Sequence, residues 1–374
     1  MEHVFTKTII NILKHNFGKQ AKVIYENSNL LQYINIKTVS VSKDSKSRSS
    51  FANLYAIYVL VEDYIKYAFE KKKDYSKYTG ANFSDLFYRQ RDLPFGNKLQ
   101  NHALNNRLNE EYKKYFFDSK SIPIIRNSEK KKYWINENLL KIKIKNKIYD
   151  ISKSIMAIIK EYIKAKQESF NLFIETCNKF DNKKLSNKEI KDFIFSLIEE
   201  KMDARIFEIV SFSILKYYYC TKHIYFGKTK QKIKKEILKL FKTGRTNAND
   251  GGIDFVMKPL GRFFQVTESL DFKKYFLDID KIEKYPITFI IKTKKSEKDL
   301  KKEIYNNALL AYSIPSIVKK YMNCIEEIFN IPKLQKVYNI IEKNNLQCKV
   351  VKEILLQSKV EFNYDEKNRI DFYE

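Results

Sequence analysis

Residues that break or staple a backbone are scarce in this chain. Its 374 residues include 8 glycines, 6 prolines, 4 cysteines, 4 histidines and one tryptophan. So few glycines and prolines leave little room for irregular loops, and most of the chain is expected in regular elements. Cys177, Cys220, Cys324 and Cys348 lie far apart with no C-x-x-C pair, which argues against a structural zinc site and a disulfide scaffold. His3, His15, His102 and His223 stand singly, without the spacing of metal ligands or of a nucleophile and its base. His223 near Cys220 follows an apolar helical stretch, where a structural role is the expectation. No G-x-x-x-x-G-K-[ST] or G-x-G-x-x-G loop occurs, which argues against nucleotide hydrolysis. The longest apolar runs, such as 206–215, fall far short of the roughly 18 residues that span a bilayer. No charged-then-apolar leader with a small-residue cleavage site is visible. The chain is therefore expected to be soluble and cytoplasmic, with no membrane partner.

What is abundant is positive charge. Lys and Arg number 71 against 45 Asp and Glu, a formal net charge of +26. Such a surplus must sit largely on the surface, where it repels itself unless a polyanion is present. Nucleic acid is the natural partner, because each neutralised phosphate releases counterions. Codon bias toward Lys, Asn, Ile, Phe and Tyr is the bland alternative. At 44% hydrophobic and 14% aromatic, the chain has ample material for packed cores and is not a disordered tail.

The pattern along the chain divides it into three stretches. Residues 1–150 are expected to be mostly helical, with a polar, basic loop at 43–50 and an apolar stretch at 51–69. Within them, a short helix from Ser84 to Arg91 (Ser84 its candidate N-cap) meets the turn Leu93-Pro94-Phe95-Gly96. A longer helical pattern at 97–117 follows, then two short apolar stretches at 122–125 and 133–135 joined by a polar turn. Helix, turn, helix, hairpin is the outline of a winged-helix-like module. Residues 151–200 read as a helical linker with a charged break at 181–184. Residues 201–374 turn to α/β grammar: an apolar helix at 202–219, strands at 253–257 and 263–268 joined as a hairpin, a third strand at 287–292, and a helical basic tail from Leu300. The fold class is therefore α+β or α/β, with a mixed sheet in the C-terminal half.

The most informative segment runs from Thr246 through Asp250-Gly251-Gly252-Ile253-Asp254 to Gln265-Val266-Thr267-Glu268. Asp254 is expected in a strand, pointing opposite to Ile253 and Phe255. A carboxylate there is costly unless it is paired or binds a cation. The two glycines before it allow a sharp turn and leave space near the carboxylate. Gln265 and Thr267 share one face of the next strand, so an in-register hairpin would bring Asp254, Gln265 and Thr267 together. Asp250 reads as an ordinary Asp-Gly turn residue. On the preceding helix, Glu208 falls on a stripe with Phe212, Leu215 and Tyr219 that is otherwise apolar or aromatic. Pairing with Arg205 or Lys216 is the structural alternative for it.

These residues resemble the PD-(D/E)xK restriction-endonuclease-like superfamily, whose core is a glutamate-bearing helix followed by strands carrying Asp and a (Glu/Gln)-x-Lys pair. The resemblance covers residues 202–293. It implies that Asp254, Glu208 and Gln265 hold Mg²⁺, which lowers the pKa of a bound water and stabilises charge on the phosphorane. It further implies hydrolysis of duplex DNA at a short sequence, often by a homodimer, in a restriction system beside a protecting methyltransferase. One departure is plain: Thr267 stands where the family has the lysine that orients the attacking water. Glu268 (through a β-bulge), Lys258 or Lys292 are the candidate substitutes. Two other functions remain open on this reading: a non-catalytic DNA-binding regulator on a degenerate nuclease fold, and a repair or structure-specific nuclease.

The reading module offers its own candidates. On the pattern at 97–117, Leu104, Leu108 and Tyr115 fall on the side that suits inward packing. Lys98, Asn101, His102, Asn105, Asn106 and Asn109 lie opposite. Asparagine is a poor helix former because its amide competes with the backbone, so a face built from it calls for a reason. Asn bonds adenine bidentately in the major groove, and Lys and Arg serve guanine and phosphate. Lys131, with Lys130 and Lys132, is placed to grip phosphates from the hairpin turn. Arg245, in the basic stretch before the Asp254 segment, is a further candidate DNA contact. Trp134 is expected to be a wing or core anchor.

Overall fold

The structure, a computed structural model, describes residues 2–41, 47–67, 69–71, 74–97, 99–181, 186–243, 253–268 and 271–362. It is mixed α and β, and the chain divides into two compact units, Met1–Phe173 and Ile174–Glu374.

The first unit opens with α1 (Val4–Phe17), α2 (Ala21–Glu26), α3 (Asn29–Thr38) and α4 (Ser47–Lys66). Helix α4 carries the apolar stretch read from the sequence, and the reason for its run of aromatics is its place. Phe51, Leu54, Tyr55, Ile57, Leu60 and Tyr64 are all buried. A helix that is apolar on every side is the centre of a core rather than its cover. The following elements wrap it: β1 (Ala81–Asn82), α5 (Phe83–Asp92), a π-helical turn (Ala103–Arg107) that runs into α6 (Leu108–Tyr115), and the hairpin of β2 (Ile124–Asn127) and β3 (Lys132–Ile135). The three strands form an antiparallel sheet in the order β1-β3-β2. Gly80, with φ 81°, lies so close to the Trp134 ring that a side chain would collide with it and crowd the Tyr133 carbonyl. A second hairpin, β4 (Lys141–Ile144) with β5 (Lys147–Asp150), was not anticipated; it precedes α7 (Ser152–Asp181).

The second unit contains α8 (Asn187–Ser196), α9 (Ala204–Tyr219), the hairpin β6 (His223–Phe226) and β7 (Lys234–Ile237), β8 (Lys239–Lys242), β9 (Phe255–Lys258) and β10 (Arg262–Thr267). It continues with α10 (Phe272–Lys281), β11 (Ile287–Ile291), α11 (Glu297–Tyr312), α12 (Pro315–Asn323), β12 (Ile325–Phe329), α13 (Ile331–Lys343) and α14 (Gln347–Phe362). Its mixed five-stranded sheet runs β12-β11-β10-β9-β8: β8, β9 and β10 form an antiparallel meander, and β11 and β12 add on in parallel. Every residue of β11 is buried, as a strand covered on both faces should be. Phe255 and Phe264 meet Phe212 and Tyr219 of α9 on one face. Phe263 and Phe289 join Tyr275, Phe276 and Leu300 on the other. Each large ring buried this way contributes roughly 1.5–3 kcal/mol. The turn between β9 and β10 closes through Gly261, at φ 68°, whose N–H donates to the Met257 carbonyl at 2.9 Å.

The expectations at 253–257, 263–268 and 287–292 correspond to β9, β10 and β11 within two residues at each end. Strands β8 and β12, and the β6–β7 hairpin, were missed: they lie in lysine-rich or helix-like stretches without apolar alternation. Of the loop expected at 43–50, residues 43–46 lie outside the described residues and 47–50 are instead the first turn of α4; of the break expected at 181–184, Asp181 ends α7 and 182–184 lie outside the described residues. Ser84 is not the cap of α5; Asn82 holds that position and its Nδ2 donates to Asp85 at 2.8 Å.

Candidate active site and nucleic-acid interface

The chemistry of the second unit gathers where α9, the mouth of the β8–β9–β10 meander and α10 meet. Helix α9 starts because Asp203 accepts the Arg205 N–H, and it turns an apolar face inward through Phe207, Val210, Phe212 and Leu215. Glu208, half-buried on that helix, meets Lys242 Nζ at the end of β8, 2.8 Å from Oε1. The two alternatives read from the sequence are taken elsewhere: Arg205 pairs with Asp203 and Lys216 with Glu353.

Asp254 is not within a strand, as expected, but directly before β9. Its N–H donates to the Phe264 carbonyl, its carbonyl accepts the Thr243 N–H, and its Oδ2 accepts the Val266 N–H at 2.6 Å. The strand alternation breaks here. Ile253 packs with Phe272, Phe276 and Phe289, whereas Phe255 packs with Phe212 on the other face. The carboxylate therefore stands at the entrance of the meander, exposed to groups from both layers. Burial first, and then the Glu208 charge, push its pKa up to about 8; the Val266 N–H, Lys242 and Lys274 oppose the rise.

Gln265 and Thr267 lie on the α10 face of β10, both buried. The Gln265 amide nitrogen donates to the Val266 carbonyl at 3.4 Å, while its Oε1 is buried with no hydrogen-bond partner among the described residues. Thr267 Oγ1 accepts from Lys274 Nζ at 3.4 Å. The same lysine acts electrostatically on Asp254. Lys274 was not among the candidates, and it stands beside Thr267, where the resemblance would put a lysine. Its signal was faint: it follows Phe272 on a helix whose Phe272, Tyr275, Phe276 and Ile279 face inward. The three substitutes named from the sequence are engaged elsewhere. Lys292 is buried against Glu268 and the Met202 carbonyl, which ties up both Lys292 and Glu268. Lys258, at the far end of β9, lies over the Phe241 ring. Asp250, Gly251, Gly252 and Arg245 lie outside the described residues.

The donor set suits a hard cation. Asp254, whose charge Glu208 disfavours, and Glu208 itself offer oxygen ligands of the kind Mg²⁺ takes, and the Gln265 amide oxygen on the α10 face of β10 has no partner among the described residues. Among the described residues no group of three or more His, Cys, Asp or Glu side chains gathers. A Mg²⁺ ion at Asp254 and Glu208 would therefore rely on Gln265 Oε1 and on water or phosphate oxygens, as is usual for this ion.

In the first unit the expected recognition helix is shorter and differently phased. The π-helical turn Ala103–Arg107 precedes α6, and Ala103, Leu104, Leu108 and Tyr112 are its inward residues. Tyr115, expected inside, is 49% exposed at the last position of α6, and Tyr112 takes the inward place. Of the asparagine face, Asn101, His102 and Asn106 are exposed. Asn109 is not available to a base: its Nδ2 donates to the Ile124 carbonyl and its Oδ1 accepts the Ile124 N–H, at 2.8 and 2.9 Å. Asn105 is half-buried, with its Oδ1 accepting from the Tyr133 hydroxyl at 3.2 Å. These amides were read as solvent-facing, yet two of them fasten the helix to the hairpin. Lys130 and Lys131 are exposed at the hairpin turn. Lys98 lies outside the described residues. No helix of the described residues is long and apolar enough to cross a membrane. No protein-family model, curated protein or solved structure matches the chain.

Proposed function

We propose that the protein is a Mg²⁺-dependent endonuclease that hydrolyses phosphodiester bonds of double-stranded DNA at a specific sequence. The observation that carries this reading is the Asp254–Glu208 carboxylate pair at the meander entrance, with Lys242 and Lys274 acting on Asp254. The order of a glutamate-bearing helix, then Asp254 directly before β9 and Gln-x-Thr on β10, supports the likeness to PD-(D/E)xK nucleases. Mg²⁺, when bound, supplies an acidified water and charge neutralisation at the phosphate. Asp254, Glu208 and Gln265 Oε1 are the residues that would hold it. Asp254 must give up its proton to do so. Lys274, beside Thr267, is placed to offset negative charge on the scissile phosphate, the task of the lysine that Thr267 replaces. That placement favours an enzyme over a regulator on a degenerate nuclease fold.

In the first unit, β1 pairs with the hairpin that follows α5 and α6, which supports a winged-helix-like reading. Asn101, His102 and Asn106 are the proposed base-reading residues, and Lys130 and Lys131 the proposed phosphate contacts. A homodimer acting beside a methyltransferase completes the reading as a restriction enzyme.

The test is incubation of mixed-sequence duplex DNA at low salt with Mg²⁺ or with chelator, using the wild type and Asp254→Ala. Discrete fragments from the wild type with Mg²⁺ alone, and binding without cutting by the variant, are expected. Binding without cutting by the wild type in both Mg²⁺ and Mn²⁺ would remove the enzyme and leave the regulator.

A further inference from the structure

The hairpin β6–β7 stands out from the second unit in both charge and exposure. From Lys222 to Lys239 the chain carries seven lysines and one acidic residue, Glu236. Lys228, Lys230, Lys232, Lys234, Lys235 and Lys239 are all exposed, and none forms an ion pair with a described residue. Four lysines elsewhere in the unit, Lys281, Lys284, Lys294 and Lys301, do pair with carboxylates. Aromatic and aliphatic side chains are interleaved with the charge. Tyr225 is 76% exposed and sits directly across from Lys235 on one face of the ribbon, beside Ile237. A two-stranded hairpin this exposed is marginal alone. Its base is held to the body by the Leu238 N–H donating to the Lys222 carbonyl at 3.1 Å, and its turn leaves no room for a side chain at Gly227 beside the Lys232 carbonyl.

The ribbon is also well placed. It leads directly into β8, whose far residue is Lys242, the partner of Glu208. From Lys239 to Lys242 is about 10 Å of strand. The major groove of B-DNA is about 12 Å wide and admits a two-stranded ribbon. Unpaired lysines around an exposed tyrosine match what a groove offers: phosphates along both walls and an apolar floor at thymine methyls.

We propose that the β6–β7 ribbon is a DNA-gripping arm that enters a groove of the duplex, its base lying about 10 Å along β8 from Lys242, the partner of Glu208. Its lysines bind phosphates and Tyr225 contacts the bases or sugars between them. The arm rests on the reading of the protein as a DNA-acting enzyme, but its own test is binding, not cutting.

The experiment measures full-length protein binding a fluorescent duplex by anisotropy in chelator, across a salt series. Four lysines are changed together, K228Q/K230Q/K232Q/K234Q, with melting temperature as the check on folding. Because each lost phosphate contact lowers the salt slope by about 0.9, the slope of log Kd against log salt is expected to be shallower by about 3–4, with affinity down at least about tenfold. A charge-matched control, K281Q/K284Q/K294Q/K301Q, should keep nearly the wild-type slope. Tyr225→Ala should weaken binding with the slope unchanged. Equal slopes for the ribbon variant and the wild type, or equal losses in the ribbon variant and the control, would overturn the arm. So would wild-type protein that binds no duplex, or a ribbon effect confined to phosphatidylserine vesicles, which would make it a membrane arm. Wild type that binds through the ribbon but never cuts would sink the nuclease reading alone.

Discussion

Asp254 pairs an unfavourable position with an inviting one. Its carboxyl is buried beside Glu208, so the folded chain holds a proton that the unfolded chain gives up near pH 4. Between about pH 4 and 8 the native state therefore binds more protons than the unfolded state, and stability falls as pH rises through that window. Asp254→Asn is expected to remove this slope, making metal-free protein more stable than wild type at pH 8 and no different near pH 4. Thermal unfolding at the two pH values measures it, with about 2–4 °C for each 1 kcal/mol. The same variant should lose cleavage by about a thousandfold, since a metal ligand contributes several kcal/mol to charge stabilisation. In wild type, the apparent Mg²⁺ affinity should rise with pH up to about 8, because the ion and the Asp254 proton compete. Lys274→Met is expected to lower single-turnover cleavage about a hundredfold with duplex affinity nearly kept. Lys258→Met, at the other end of β9, should do nothing to the chemical step; equal losses for both would show that Lys274 acts only through net charge.

Among the elements, the stretch from Ala103 to Tyr115 separates what periodicity tells from what packing decides. Leu104 and Leu108 were legible as inward residues, because apolar side chains at helical spacing seek a core. The asparagines were not. A short amide suits a solvated face, a base edge or a backbone clamp equally well, and only the strand beside it shows which. Asn109 holds both the N–H and the carbonyl of Ile124, so Asn109→Ala leaves two backbone groups without their partner. A loss of about 1–3 kcal/mol in urea unfolding is expected. Asn106→Ala, exposed, should change stability by no more than about 0.5 kcal/mol but weaken duplex binding. The reverse pattern would move the reading face to another side of the helix. Strand β8 makes the same point: Lys239-Leu240-Phe241-Lys242 looks like part of a lysine-rich coil, and it is a strand because β9 offers it a ladder.

Across the whole molecule, a net charge of +26 predicts duplex binding that weakens steeply with salt, whatever the duplex sequence. A log–log slope steeper than about −5 between 50 and 200 mM salt is expected; a shallow slope would leave the charge surplus without its partner. The sequence by itself determined the mixed α and β class, the charge surplus, the apolar stretch that forms α4, and the hairpin that carries Gln265 and Thr267 just after Asp254. Those properties depend on composition, on period and on residues near one another in the chain. Tertiary structure alone decided that Lys242 meets Glu208, that Lys274 reaches Thr267, that Lys292 is tied to Glu268, and that Asn109 clamps a strand. Each of these joins residues from separate elements, and a side chain's partner there depends on which layers pack and in which register, which local patterning does not record.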